Sequence, residues 1–74
     1  MPAVDMEQTG KNIEAMMNDH HLTPKDMQRA FGFGTVNTVY TWIRGKKMPN
    51  IDNIVMMTGI FGVKIDDIIA VRDI

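Results

Sequence analysis

Cysteine and serine are both absent from the 74 residues. Without cysteine there are no disulfides and no thiolate metal ligands, an absence that fits a reducing cytosol. Without serine as well, the two commonest nucleophiles of covalent catalysis are missing. No apolar run exceeds four or five residues, far short of the roughly 20 that span a bilayer. The N-terminus lacks the basic-then-apolar layout of a signal peptide, and Pro2 to Glu7 is mildly acidic instead. The expectation is a protein with no membrane segment, cytoplasmic in location.

Other chemistries fail on spacing. His20 and His21 are adjacent, so on a helix they point apart, and no third ligand stands at metal-binding spacing. Gly32-Phe33-Gly34 has neither the third glycine nor the preceding strand of a dinucleotide loop. The Asp66-Asp67 pair has no evident pocket. No enzyme activity, metal or cofactor is expected. Seventy-four residues make one domain with a thin core, since a chain this short buries only about 60% of its unfolded surface. The eight methionines read as adaptable core filling rather than as a ligand surface.

A net charge of −1 hides a pattern. Up to Pro24, Lys11 stands against Asp5, Glu7, Glu14 and Asp19, a net −3. From Lys25 to Lys47, Lys25, Arg29, Arg44, Lys46 and Lys47 stand against Asp26, a net +4. From Met48 onward, Lys64 and Arg72 stand against Asp52, Asp66, Asp67 and Asp73, a net −2. A basic middle between acidic flanks can give a near-neutral protein one positive face. With so few charges, a solvated surface without function reads equally well.

Periodicity predicts five helices. Residues 1–8 read as a flexible tail, and residues 9–74 as the domain. Thr9 can cap a first helix to about Asp19, with Ile13, Met16 and Met17 on one face. Thr23-Pro24-Lys25-Asp26 places a capping hydroxyl, a proline at the first helical position and an acid at the third. A second helix follows to about Phe31, with Met27, Ala30 and Phe31 inward, and Gly32-Phe33-Gly34 breaks it. Residues 35–43 are rich in β-branched and aromatic side chains and on propensity alone form a strand. No other segment offers that strand a partner, and Val39, Trp42 and Ile43 fall at helical spacing. A third helix over 35–44 is therefore expected, capped by Thr35 and ended by Gly45. A fourth runs from Asn50 to about Phe61, with Ile51, Ile54, Val55, Thr58 and Ile60 or Phe61 inward. A fifth runs from Lys64 to about Val71, with Ile65, Ile68 and Ile69 as its inner stripe.

Two short helices joined by a glycine-bearing turn are the layout of a DNA-reading helix-turn-helix. The particulars resemble the lambda repressor and Cro (XRE-like) family: Leu22-Thr23, Ala30, Trp42-Ile43-Arg44-Gly45, Lys47-Met48-Pro49 and Phe61-Gly62-Val63. Tyr40-Thr41-Trp42 is similar to small stand-alone members. The resemblance spans about residues 9 to 72 and implies an all-α, compact five-helix domain of the lambda-repressor type. It further implies sequence-specific binding of double-stranded DNA by a bacterial or phage repressor or autoregulator. Three departures stand out. The turn between helices two and three is one residue longer than usual, Pro24 replaces a phosphate-contacting Gln, and Ile43 replaces a Glu. The recognition helix register is therefore open by one residue.

On that resemblance, Val36, Asn37, Tyr40 and Thr41 are the base-reading candidates. An Asn amide can pair with adenine N6 and N7, discriminating by about 1–3 kcal/mol; the rival reading of Asn37 is a helix-start residue bonding its own backbone. Lys25, Arg29, Thr35, Arg44, Lys46 and Lys47 are the phosphate-contacting candidates. Trp42 reads as core, in line with Val39 and Ile43. The implied partners are an inverted-repeat operator and a second copy of the chain, the latter suggested also by Val71 and Ile74 off the inner stripe. The alternative is a protein-interaction module, or the antitoxin of a toxin pair with weak or secondary DNA binding.

Overall fold

The chain ends pair with each other, and five helices fold between them. The computed structural model describes all 74 residues. In order they form β1 (Pro2–Val4), α1 (Met6–Asp19), α2 (Pro24–Phe31), α3 (Asn37–Ile43), α4 (Ile51–Phe61), α5 (Ile65–Ile68) and β2 (Val71–Asp73). β1 and β2 are antiparallel, with Pro2 opposite Asp73, Ala3 opposite Arg72 and Val4 opposite Val71. The fold is thus mostly helical with a small two-stranded sheet, not wholly α.

Residues 1–8 differ most from expectation. Instead of a tail they supply β1, the cap and the first turn of α1. Asp5, not Thr9, caps that helix: its carboxylate accepts from the Gln8 N–H at 3.0 Å. Thr9 lies inside the helix, buried, and its hydroxyl accepts from the Ala70 N–H at 2.9 Å. The Asp5 N–H donates to the Ala70 carbonyl at 2.8 Å, and Asn12 donates to the Ile68 carbonyl at 3.1 Å. These bonds meet the backbone groups of the segment after α5, where the expected helix to Val71 stops at Ile68. Ile69 is extended, as its β-branched surroundings favour, and the chain turns into β2.

The core is a single cluster of Ile13, Met17, Met27, Val39, Trp42, Ile54, Met57, Phe61 and Ile68. Three of the eight methionines belong to it. Phe31 and Phe33 both lie edge-on to Trp42, with ring centroids 5.6 and 5.5 Å away. Trp42 is buried, so it is a core residue as read. Ala30, expected inward, is exposed, and only Met27 of α2 is fully buried. In α4, Ile54 and Phe61 point in as expected, Met57 joins them, and Ile51 and Val55 are exposed instead of inward.

α1 and the end of α3 meet backbone to backbone. A Cβ on Gly10 would lie 2.3 Å from the Trp42 carbonyl oxygen and 2.6 Å from that of Ile43. Just beyond, Gly45 has φ of +70°, and a Cβ there would lie 2.8 Å from the Glu7 Cα. Only glycine allows both the close approach and the left-handed turn. The position of α3 is thereby tied to α1 through main chain rather than side chains.

Candidate nucleic-acid interface

The seven uncharged residues of α3 are followed by a loop that carries three exposed basic residues, Arg44, Lys46 and Lys47. α3 starts two residues later than expected. Val36 takes the cap position with αR backbone angles and no side-chain bond, and its carbonyl accepts from the Val39 and Tyr40 N–H groups. Thr35 still contributes, because its hydroxyl accepts from the Asn37 N–H at 3.2 Å. That bond meets the backbone need at the helix start, and the Asn37 carboxamide is exposed with no partner in the chain.

Tyr40 and Arg44 are one turn apart, and the Arg44 guanidinium carbon lies 5.2 Å from the Tyr40 ring centroid. At that distance the ring's negative face attracts the cation, so two long side chains on α3's outer side are held in a common orientation. Thr41 is half-buried. Its hydroxyl donates to the Thr38 carbonyl, which takes up its one donor and leaves it the methyl and an acceptor oxygen. The Thr41 carbonyl accepts from the N–H groups of both Lys46 and Lys47, at 2.9 and 3.2 Å. The basic loop is therefore folded back along the helix. Arg44, Lys46 and Lys47 are exposed and take part in no salt bridge within the chain.

A hollow of about 390 Å³ opens between α3, this loop and the start of α4. It brings together Asn37, Thr41 and Lys47, and adds Asn50 and Asn53, which the candidate set did not contain. Asn50 caps α4 by accepting from the Asn53 N–H at 2.8 Å. The first turn of α4 thus adjoins a concave surface lined by polar residues together with Trp42 and Met48. Asn50 reads as a helix start in the sequence, whereas Asn53 reaches the hollow only through the placement of α4 beside α3.

The other candidates lie elsewhere. Val36 is half-buried at the mouth of α3. Lys25 and Arg29 are exposed on α2, outside the hollow, and the Arg29 guanidinium stands 3.8 Å from the Asp26 carboxylate. The start of α2 is closed to anions by its own capping box. Asp26 donates its N–H to the Thr23 hydroxyl, and its carboxylate accepts from the Thr23 N–H at 2.9 Å. The Thr23 backbone bond first and its hydroxyl second hold the Asp26 carboxyl below its ordinary pKa of 3.8, with Arg29 adding a smaller pull. Pro24 has no N–H, so little donor capacity remains there. His20 packs its ring at 5.4 Å from that of Phe61, with Nδ1 2.9 Å from the Met16 carbonyl.

Residues 12–73 match the model of the Cro/C1-type HTH DNA-binding domain. The chain belongs to that family. No curated protein and no solved structure matches it. Membership makes DNA the partner of this Cro/C1-type domain. None of its helices is long and apolar enough to cross a membrane.

Proposed function

We propose that this Cro/C1-type domain is a sequence-specific repressor or autoregulator, cytoplasmic and non-catalytic, that reads the major groove of double-stranded DNA with α3. Asn37 is the principal base-reading residue, with Val36, Tyr40 and the Thr41 methyl beside it. Arg44, Lys46 and Lys47 contact phosphates and fix the docking register, joined more weakly by Lys25, Arg29 and Thr35. Two copies bind an inverted repeat whose half-sites are about one helical turn apart. The observation that carries this reading is the unpartnered Asn37 carboxamide in one hollow with Lys47, beside two further cations, Arg44 and Lys46, free of intrachain salt bridges.

Fluorescence anisotropy against the duplex upstream of the protein's own gene, and against a scrambled duplex, tests it. Selective binding whose logarithm falls steeply with the logarithm of salt is expected. Equal, weak binding to both duplexes overturns it. One observation favours a second reading, an interaction module or antitoxin: Asp26 closes the start of α2 to a phosphate. Stoichiometric co-purification with another protein, together with weak DNA binding, is the outcome that reading expects.

A further inference from the structure

The two ends of α3 are fixed by different devices. The end at Trp42 and Ile43 rests on Gly10 of α1, backbone against backbone. The start, where Asn37 stands, is reached through Gly32-Phe33-Gly34-Thr35, and little holds that turn. Beyond their chain neighbours, no atom lies within 4 Å of the position a Cβ would take on Gly32 or Gly34. The N–H groups of Gly34, Thr35 and Val36 donate to no group in the chain. The firm attachment is Phe33, whose ring stacks on Phe31 with centroids 5.4 Å apart and meets Trp42 edge-on.

Gln28 of α2 grips the Phe33 main chain through both of its polar groups. The Gln28 carbonyl accepts from the Phe33 N–H at 3.0 Å, the ordinary closure of a helix that ends on a left-handed glycine, here Gly32. The Gln28 side-chain Nε2 also donates to the Phe33 carbonyl, at 3.1 Å. Closing the helix does not require this second bond. It fixes the plane of the Phe33–Gly34 peptide, from which the chain swings into α3. A half-buried position on α2 accepts an apolar side chain with no hydrogen-bond requirement, whereas an amide there must be bonded. From this geometry we infer that Gln28 is a positioning residue for DNA reading: through Phe33 it sets the start of α3 and so the aim of Asn37. The inference rests on the reading of α3 as the recognition helix. Gln28 lies outside the hollow and acts through Asn37.

Without the side-chain bond, the chain around Phe33 is loosened between two glycines. The start of α3 then samples settings in which Asn37 misses its base. Only the clamped fraction binds selectively, so apparent affinity falls with that fraction. Losing one hydrogen bond shifts such a population by about 2- to 10-fold. Arg44, Lys46 and Lys47 stand at the other end of α3, beside the contact with Gly10, and keep their phosphate contacts. The signature of a loosened clamp is therefore lost selectivity with general DNA binding retained.

Gln28→Met tests this, because it keeps side-chain length and helix propensity and removes the donor. The first readout is amide hydrogen exchange without DNA. The Val39 and Tyr40 N–H groups, bonded to the Val36 carbonyl, should exchange about 2- to 10-fold faster, while the Ile54 N–H of α4 keeps its rate. Unchanged exchange at Val39 and Tyr40 overturns the inference whatever happens on DNA. The second readout uses the duplex that the wild-type protein enriches from a random pool, with a scrambled duplex beside it. Gln28→Met should bind the enriched duplex about 2- to 10-fold more weakly and the scrambled one equally well. In the Asn37→Ala background the same change should cost less, since no carboxamide is left to aim. Equal loss in both backgrounds is what a direct DNA contact or a general destabilisation gives. That result, or no loss at all, overturns the inference and leaves the DNA reading intact. If no duplex is enriched, the DNA reading falls and the role of Gln28 in recognition falls with it. Exchange alone then decides whether Gln28 holds the start of α3.

Discussion

Replacing Gly10 by alanine is the sharpest test of how the DNA-binding side is held. In an exposed helix interior this change stabilises by about 1 kcal/mol, since alanine is the better helix former. At Gly10 the new Cβ falls 2.3 Å from the Trp42 carbonyl oxygen and 2.6 Å from that of Ile43. Carbon–oxygen contacts of this kind settle at about 3.3–3.6 Å, so α1 and the end of α3 must part by about 1 Å. Both atoms struck are backbone, and no rotamer change relieves them. Overpacking of this kind costs about 1–3 kcal/mol, which cancels or exceeds the propensity gain. For a domain of this size each kcal/mol is about 4–8 °C in Tm. The net cost is about 0–2 kcal/mol, so thermal unfolding by circular dichroism should show no gain for Gly10→Ala and a fall of up to roughly 15 °C. Gly59→Ala is the control: it is also within a helix but has open space around it, and in dilute protein it should raise Tm by a few degrees. A rise for Gly10→Ala equal to that of Gly59→Ala would refute the backbone contact as the link between α1 and α3.

The remaining expectations concern DNA and pH. Lys46→Ala and Lys47→Ala should each weaken binding to all duplexes alike and flatten the salt slope by about 1, measured by anisotropy across salt concentrations. Asn37→Ala should relax the preference at one base pair, at a cost of about 1–3 kcal/mol for the preferred sequence only; uniform loss on every sequence would assign Asn37 to the backbone instead. Asp26 has a folded-state pKa held below 3.8. Its contribution to stability is therefore fully present above the unfolded value and lost as pH falls through the lower folded one. Asp26→Asn should flatten the decline of Tm in that acid range, and an unchanged acid limb would show that other carboxylates govern it.

What could be read from the residues was local. Thr23-Pro24-Lys25-Asp26 encodes its own cap within four positions, and α2 starts where that signal puts it. The helical spacing of Val39 and Trp42 outweighs the β-propensity of their neighbours because burying both requires a helix. What escaped was set by distant partners or by missing contrast. Three residues around Pro2 give no strand signal until Val71–Asp73 arrives beside them, so a tail was the natural expectation. Thr9 has the chemistry of a cap, but its hydroxyl serves Ala70, 61 residues away. α4 has no polar side to orient it, which is why its inward set was misassigned at Ile51 and Val55. At the interface the basic loop and α3 were legible from charge and resemblance. Asn53 was not, because its place in the hollow depends on how α4 packs beside α3.

The pairing of β1 with β2 has a kinetic consequence. It joins residues at opposite ends of the chain, so the loop it closes is nearly the whole protein, whereas helices form from neighbours. The helical body can assemble first on its short-range contacts, with the two strands zipping together after the rate-limiting step. Lesions in the strands should then leave the refolding limb of a chevron plot in place and raise only the unfolding limb. The same clasp would be the first part to open in the native state, exchanging its amide hydrogens while α1 to α4 remain protected.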